Sequence, residues 1–199
     1  RLVGSEMCIR DRDNRGSSNR GIDFESKIHK KMGQQEVADQ ILGLNILDNH
    51  EWAAKDRVGI YGHSYGGYMT LMCLTQANRH FKSGVSVAPV CDWRIYDTHY
   101  TERYMSKPQD NAQGYEEGNV LTHLSKLEAP LLLMHGMADD NVVFENATEI
   151  ISAMQEANVP FEMMLYPGYT HRVSGERISP HRYNTIFRFL DSHGVTPPE

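Results

Sequence analysis

Cysteine is scarce in this sequence: Cys8, Cys73 and Cys91 are the only three in 199 residues. Three thiols cannot build a disulfide framework in a chain of this length, and an odd number leaves at least one unpaired, so cysteine usage assigns no compartment. Long apolar runs are also lacking. Stretches such as Pro130 to Met134 are the longest present, against the about 20 apolar residues a bilayer-spanning helix needs, which excludes a membrane span of that kind. Basic charge is in deficit, with 20 Lys and Arg against 26 Asp and Glu and a net charge of −6. That balance disfavours a polyanionic partner and argues against nucleic acid. No glycine loop is followed by Gly-Lys-Ser or Gly-Lys-Thr, so a phosphate loop is excluded. No recognised spacing of metal ligands is found either, so neither a metal nor a cofactor is expected. Internal repeats are absent, and the one linker-like stretch is DNRGSSNRG, which begins at Asp13.

What is there suits a folded core: 40% of residues are hydrophobic and 23% charged, near the average for globular proteins. One domain is expected at this length. Residues 1–12, RLVGSEMCIRDR, show neither helical nor strand periodicity nor the apolar core of a signal peptide. They resemble translated sequencing-adapter read-through and are expected to be a non-native or disordered leader, ahead of a domain over residues 13–199.

Val37, Ile41, Leu42, Leu44 and Ile46 lie at helical spacing and predict an amphipathic helix from Glu36 to Leu47. RVGIYG at 57–62 is β-rich and ends in glycine, and YMTLMCL at 68–74 stays apolar without alternation, a strand–turn–helix signature. A second β-rich run, GVSVAPV, covers 84–90, followed by a polar and aromatic region to about Gly118. Then come PLLLMHG at 130–136, a helix from about Glu145 to Ala157, FEMMLY at 161–166 and a last helix from about Pro180 to Leu190. Continuous apolar strands alternating with helices predict an α/β architecture, a mostly parallel sheet with helices on both faces.

The strand–turn–helix carries Gly62-His63-Ser64-Tyr65-Gly66, a G-x-S-x-G sequence in the context a nucleophile elbow requires. On such a strained turn the residues two before and two after the nucleophile are expected to approach backbone closely, where only Gly62 and Gly66 would fit. The helix beginning just after Ser64 aims its free N–H groups at developing negative charge, which makes the Tyr65 N–H the expected oxyanion donor. Ser64 needs a base and the base an orienting carboxylate. In this fold class the chain order is serine, acid, histidine, each after a strand. Asp139 and Asp140 follow the strand at 130–136, and His171 follows the strand at 161–166. Spacing leaves the choice between Asp139 and Asp140 open. His63 lies inside the elbow and should point away from the site; His135 reads as a packed, hydrogen-bonded strand-end residue; His181 and His193 read as surface residues. Trp93, Tyr96 and Tyr100 recur at helical spacing and should share one face, a pattern that reads as core packing before it reads as a binding surface.

In order and spacing, the segments DNRGSSNRG, GHSYGGYMT, VAPVCDWRIYDTHYTERYM, HGMADDNV and YPGYTH resemble the prolyl oligopeptidase family of serine peptidases, within it the dipeptidyl peptidase IV-like catalytic domain. The resemblance implies an α/β-hydrolase with Ser64 as nucleophile, Asp139 rather than Asp140 as orienting carboxylate and His171 as base. It also implies a pocket of Tyr65, Val90, Trp93, Tyr96 and Tyr100 around a substrate proline or alanine, with Asn141 bonding a substrate carbonyl. The implied activity is cleavage of peptides after proline or alanine, with release of N-terminal dipeptides through an acyl-enzyme. An oligopeptidase, an acylaminoacyl peptidase or an esterase on the same scaffold, and an inactive fragment, are the alternatives. Family members carry an N-terminal β-propeller that fixes dipeptide length, and a tyrosine that completes the oxyanion hole. Neither corresponds to anything in these 199 residues, so the chain is expected to be a C-terminal piece whose upstream strands and propeller lie elsewhere. Kinship points to the periplasm or secretion, leaves the cytoplasm open and leaves room for a homodimer.

Overall fold

The computed structural model describes residues 9–51 and 53–195, so most of the expected leader, Cys8 included, lies outside the described residues. Residues 9–12 are exposed and carry no regular structure.

Four strands form one parallel sheet in the order β1 (Gly59–His63), β2 (Ser83–Val87), β3 (Leu131–Gly136) and β4 (Glu162–Tyr166). The register aligns Gly59 with Ser83, Gly84 with Leu131 and Leu132 with Glu162. Among the described residues seven α-helices accompany it: α1 (Ile22–Glu25), α2 (Gln35–Leu44), α3 (Tyr65–Gln76), α4 (Thr98–Met105), α5 (Ala112–Glu117), α6 (Glu145–Glu156) and α7 (Ile178–Ser192). Every residue of the two central strands is buried, which is why β3 opens on a continuous apolar run, Leu131 to Met134, and not an alternating one, whereas β2 buries Ser83 and Ser86 beside Val85 and Val87. Alternation appears instead in the partners of β3. Leu131 and Leu133 join the cluster built on α3 and α6, with Met72, Leu74, Ile150 and Met154. Leu132 and Met134 join Val85 and Val87 against Ile186, Phe189 and Leu190 of α7. The sheet is thus covered on both faces, each buried aliphatic side chain contributing about 1.5–3 kcal/mol of apolar transfer energy.

Several boundaries differ from the sequence expectation for local reasons. The second strand stops at Val87 instead of reaching Val90, because Ala88 has φ 46° and Pro89 has no N–H for a ladder. The helix expected to run to Leu47 ends at Leu44 and tightens into a 3-10 turn over Asn45–Asn49. Trp93, Tyr96 and Tyr100 do not lie on one helix: Trp93 is in a 3-10 turn (Trp93–Ile95), and Asp97 starts α4 by accepting the Tyr100 N–H at 2.8 Å. A side-chain cap resets the helix between them.

β1 and β4 are the edges of the sheet among the described residues. Beside β1 runs a groove of about 690 Å³, lined in part by Ile60, Tyr61, Met69, Phe187 and Leu190. Cys73 and Cys91 are wholly buried, and burial pushes both thiols up to about 12, so neither is a thiolate nucleophile at neutral pH. Among the described residues no helix is long and apolar enough to cross a membrane.

Candidate active site

Three loops at the carboxyl ends of parallel strands meet at one place, the usual location of sites in open α/β sheets. The first is the turn from β1 into α3. Ser64 occupies it with φ 60° and ψ −119°, a conformation that costs a non-glycine residue about 1–3 kcal/mol. The turn is held by the Ser64 N–H, which donates to the Val87 carbonyl at 2.8 Å, and by the Tyr68 N–H, which donates to the Ser64 carbonyl at 3.0 Å. A Cβ on Gly62 would lie 2.0 Å from the Gly66 carbonyl oxygen, so that position admits glycine alone. Gly66 departs from expectation: no atom would lie within 4 Å of a Cβ there. The crowded position is Gly67, whose Cβ would stand 2.6 Å from the Val87 carbonyl oxygen. Each helical step turns the chain by about 100°, which points residue 67 at β2 and residue 66 into the groove beside β1. No side chain caps α3, so the N–H groups of its first turn, Tyr65 included, point outward beside Ser64.

The loops after β3 and β4 bring Asp139 and His171 to Ser64. His171 Nε2 and Ser64 Oγ are 2.8 Å apart, and His171 Nδ1 lies 2.8 Å from Asp139 Oδ2. Asp139 Oδ1 accepts the N–H groups of Asn141 and Val142, each at 3.0 Å. The Asp139 side chain has no solvent exposure, so these donors offset the cost of burying its charge. Asp140 is exposed. Between the two neighbours it is Asp139 that the loop after β3 places against His171.

The aromatic residues gather next to this constellation despite the helix break. Trp93 is 1% exposed and touches Tyr65, Tyr68, Tyr96 and Tyr100 with ring centroids 4.9–6.1 Å apart. Tyr96 and Tyr100 meet edge-on at 5.4 Å and remain half-buried, while Val90 is buried at 2% exposure. The Tyr96 hydroxyl donates to Asn141 Oδ1 at 2.7 Å. That bond turns the Asn141 amide so that its N–H₂ remains a donor, and it ties the aromatic cluster to the loop that carries Asp139. The stripe is therefore core at Trp93 and surface at its two tyrosines.

The sequence profile of the prolyl oligopeptidase family matches residues 4–194. The chain belongs to that family. Among the relatives of this prolyl oligopeptidase family member, human dipeptidyl peptidase 8 is 42% identical over 188 residues, covering 90% of this chain and 21% of the relative. Dipeptidyl aminopeptidase B of Saccharomyces cerevisiae is 39% identical over 165 residues, covering 81% of this chain and 20% of its own length. The crystal structure of Porphyromonas gingivalis dipeptidyl peptidase 4 superposes with a TM-score of 0.86 at 39% identity, covering 90% of this chain and 26% of that one. The fold is that of the α/β-hydrolase catalytic domain of these proteins, and the chain spans about a fifth of the length of the curated relatives it matches.

Two residues at the site of this family member were not singled out as functional by sequence reasoning. His63, expected to point elsewhere, leans its ring on His171 at 4.7 Å and bonds the His171 carbonyl through Nε2 at 2.8 Å. Burial holds it below the ordinary histidine range, so it is neutral near pH 7 and Nε2–H donates. Glu36, expected only as the first residue of an amphipathic helix, has no exposure; it accepts the Gly33 N–H at 2.9 Å and the Tyr65 hydroxyl. Only the fold reveals this, since the two partners lie 29 residues apart.

Burial raises the Glu36 carboxyl, and the Tyr65 hydrogen bond offsets this only in part. A carboxyl raised in the fold contributes stability that is complete below the ordinary carboxylate range and is lost as pH climbs through the raised value. Glu36→Gln keeps both contacts, with its amide oxygen toward Gly33 and its N–H₂ toward Tyr65. Its midpoint of thermal unfolding should match the parent at pH 4 and exceed it at pH 8, by about 2–4 °C for each kcal/mol relieved. Circular dichroism melts at the two pH values decide it, and a variant less stable at pH 8 than at pH 4 relative to the parent contradicts the assignment.

Proposed function

We propose that this chain carries the chemical centre of a serine peptidase that cleaves after proline or alanine and releases N-terminal dipeptides through an acyl-enzyme. The observation that carries the reading is the continuous hydrogen-bonded line from Ser64 Oγ through His171 to the buried Asp139, beside the half-buried rings of Tyr96 and Tyr100. The names of the relatives, dipeptidyl peptidases and an aminopeptidase, support the same substrate class.

The geometry suits the following sequence of steps. His171 Nε2 removes the Ser64 proton as Oγ attacks the scissile carbonyl, and the imidazolium is balanced by Asp139. The oxyanion takes the Tyr65 N–H at the positive end of α3. As the C–N bond breaks, the proton on Nε2 passes to the leaving amine. Water then enters, His171 Nε2 removes its proton as its oxygen attacks the ester carbonyl, the C–Oγ bond breaks, and the proton on Nε2 returns to Ser64 Oγ, freeing the acid. The perpendicular rings of Tyr96 and Tyr100 offer apolar surface for a pyrrolidine ring, and the Asn141 N–H₂ a donor to a substrate carbonyl.

Alanine lacks two of the ring carbons of proline, and an apolar site discriminates against each missing methylene by only about 10- to 200-fold, so alanine should be accepted, more slowly. Tyr96→Ala and Tyr100→Ala should lower kcat/KM for a Gly-Pro anilide at least about 10-fold more than for a small acyl ester that leaves this surface uncovered. An unchanged ratio of the two rates would return the tyrosines to core packing and favour an esterase.

A further inference from the structure

His135 sits at the end of β3 with no solvent exposure, and the chemistry above makes no use of it. Its Nε2 lies 2.9 Å from the Val142 carbonyl and 3.2 Å from Asp139 Oδ2. A carbonyl can only accept, so the proton is on Nε2 and the N–H is shared between that carbonyl and the carboxylate. Nδ1 is then the bare nitrogen, and it is buried without a hydrogen-bond partner among the described residues. Phe144 covers the ring edge-on at 5.7 Å. Burial also holds His135 below the ordinary histidine range, in keeping with a neutral ring.

Asp139 Oδ2 therefore faces two imidazoles, His171 Nδ1 at 2.8 Å and His135 Nε2 at 3.2 Å, while Oδ1 is held by two backbone N–H groups. The backbone pair fixes one oxygen; among the described residues only His135 pins the other against the pull of His171. Without that second donor the carboxylate could rotate about its Cγ axis and His171 would follow it away from Ser64. Resting on the triad reading above, we propose that His135 is a positioning residue: its N–H fixes Asp139 Oδ2 and through it the aim of His171 at Ser64. The shared donor also draws charge from Oδ2, which moderates the attraction between Asp139 and a protonated His171.

The test is fluorophosphonate labelling of Ser64 across pH. His135→Phe keeps the ring and the contact with Phe144 but lacks the donor. Its labelling rate should fall about 10- to 100-fold, the scale of one hydrogen bond to a charged group, with the acid limb of the pH profile moved to higher pH. His63, Arg182 and Tyr96 also lie within electrostatic range of this cluster and are unchanged in the variant, so the movement reports the donor. His135→Gln, which returns an N–H at the same reach, should restore rate and limb to within about 3-fold of the parent. In an Asp139→Asn background, His135→Phe should add little, because groups acting through one another are not additive. Parent labelling rate and limb in a folded His135→Phe protein overturn the proposal, as does equal loss in Phe and Gln variants. If His135→Phe does not fold, the unmutated protein decides: phosphonylation of Ser64 charges His171, and the ¹⁵N-attached Nε2–H resonance of His135 should shift with it; an unmoved resonance overturns the proposal. Failure of the triad reading looks different, since Ser64 would then resist labelling in the parent or label equally after Asp139→Asn.

Discussion

Replacing Ser64 with alanine should abolish fluorophosphonate labelling, and His171→Ala should slow it by about four to six orders of magnitude, the loss typical of a serine without its base. Ser64 Oγ is 2.8 Å from His171 Nε2, and no other titratable side chain bonds that hydroxyl among the described residues. Combining His171→Ala with Asp139→Asn should cost little beyond His171→Ala alone, because Asp139 acts only by orienting the ring and balancing its charge. Asp139→Asn by itself should cost about 10⁴-fold, as the amide favours the wrong tautomer of the imidazole. Asp140→Asn should stay near the parent rate, its side chain being exposed. The measurement is the second-order labelling rate with each variant's fold checked by circular dichroism. A damaging Asp140→Asn beside a harmless Asp139→Asn would overturn the assignment.

The two glycines of the G-x-S-x-G sequence should behave oppositely. At Gly62 a methyl group would stand 2.0 Å from a backbone oxygen, and backbone on both sides of the contact leaves nothing flexible to give way. The turn must open, Ser64 must move, and a displacement of about 1 Å costs on the order of 10²-fold in reactivity; overpacking adds about 1–3 kcal/mol of lost stability. At Gly66 the same methyl meets nothing within 4 Å, and alanine in a first helical turn reduces the entropy of the unfolded chain, a gain of about 0.4–1 kcal/mol. Gly62→Ala should therefore lose labelling at least 10²-fold and melt earlier, whereas Gly66→Ala should label normally and melt at or above the parent temperature. Equal damage at both positions would show that the crowding lies elsewhere.

The contrast between these glycines marks how far the sequence could be read. Periodicity located all four strands, since the apolar run PLLLM and the β-rich run GVSV admit few readings once flanked by glycine and proline, and strands that alternate with helices form a parallel sheet buried on both faces. The same signal lost resolution between Cys91 and Gly118, where short capped helices replace long periodic ones. Asp97 restarts the helix through a hydrogen bond to the Tyr100 N–H, a side-chain choice that hydrophobic spacing does not register.

By itself the sequence determined the class of the fold, the elbow serine and the order in which acid and base must follow, because each of these depends on residues adjacent in the chain or on the alternation of strands with helices. Tertiary structure decided which of two neighbouring aspartates faces His171, which glycine is crowded, and that Glu36, His63 and His135 stand behind Tyr65, His171 and Asp139. Those outcomes depend on distances between segments up to 108 residues apart and on the rotation of a tight loop over seven residues. Neither quantity is written in local periodicity, since a side chain's direction in space is fixed only when the strands that carry it are packed into one sheet.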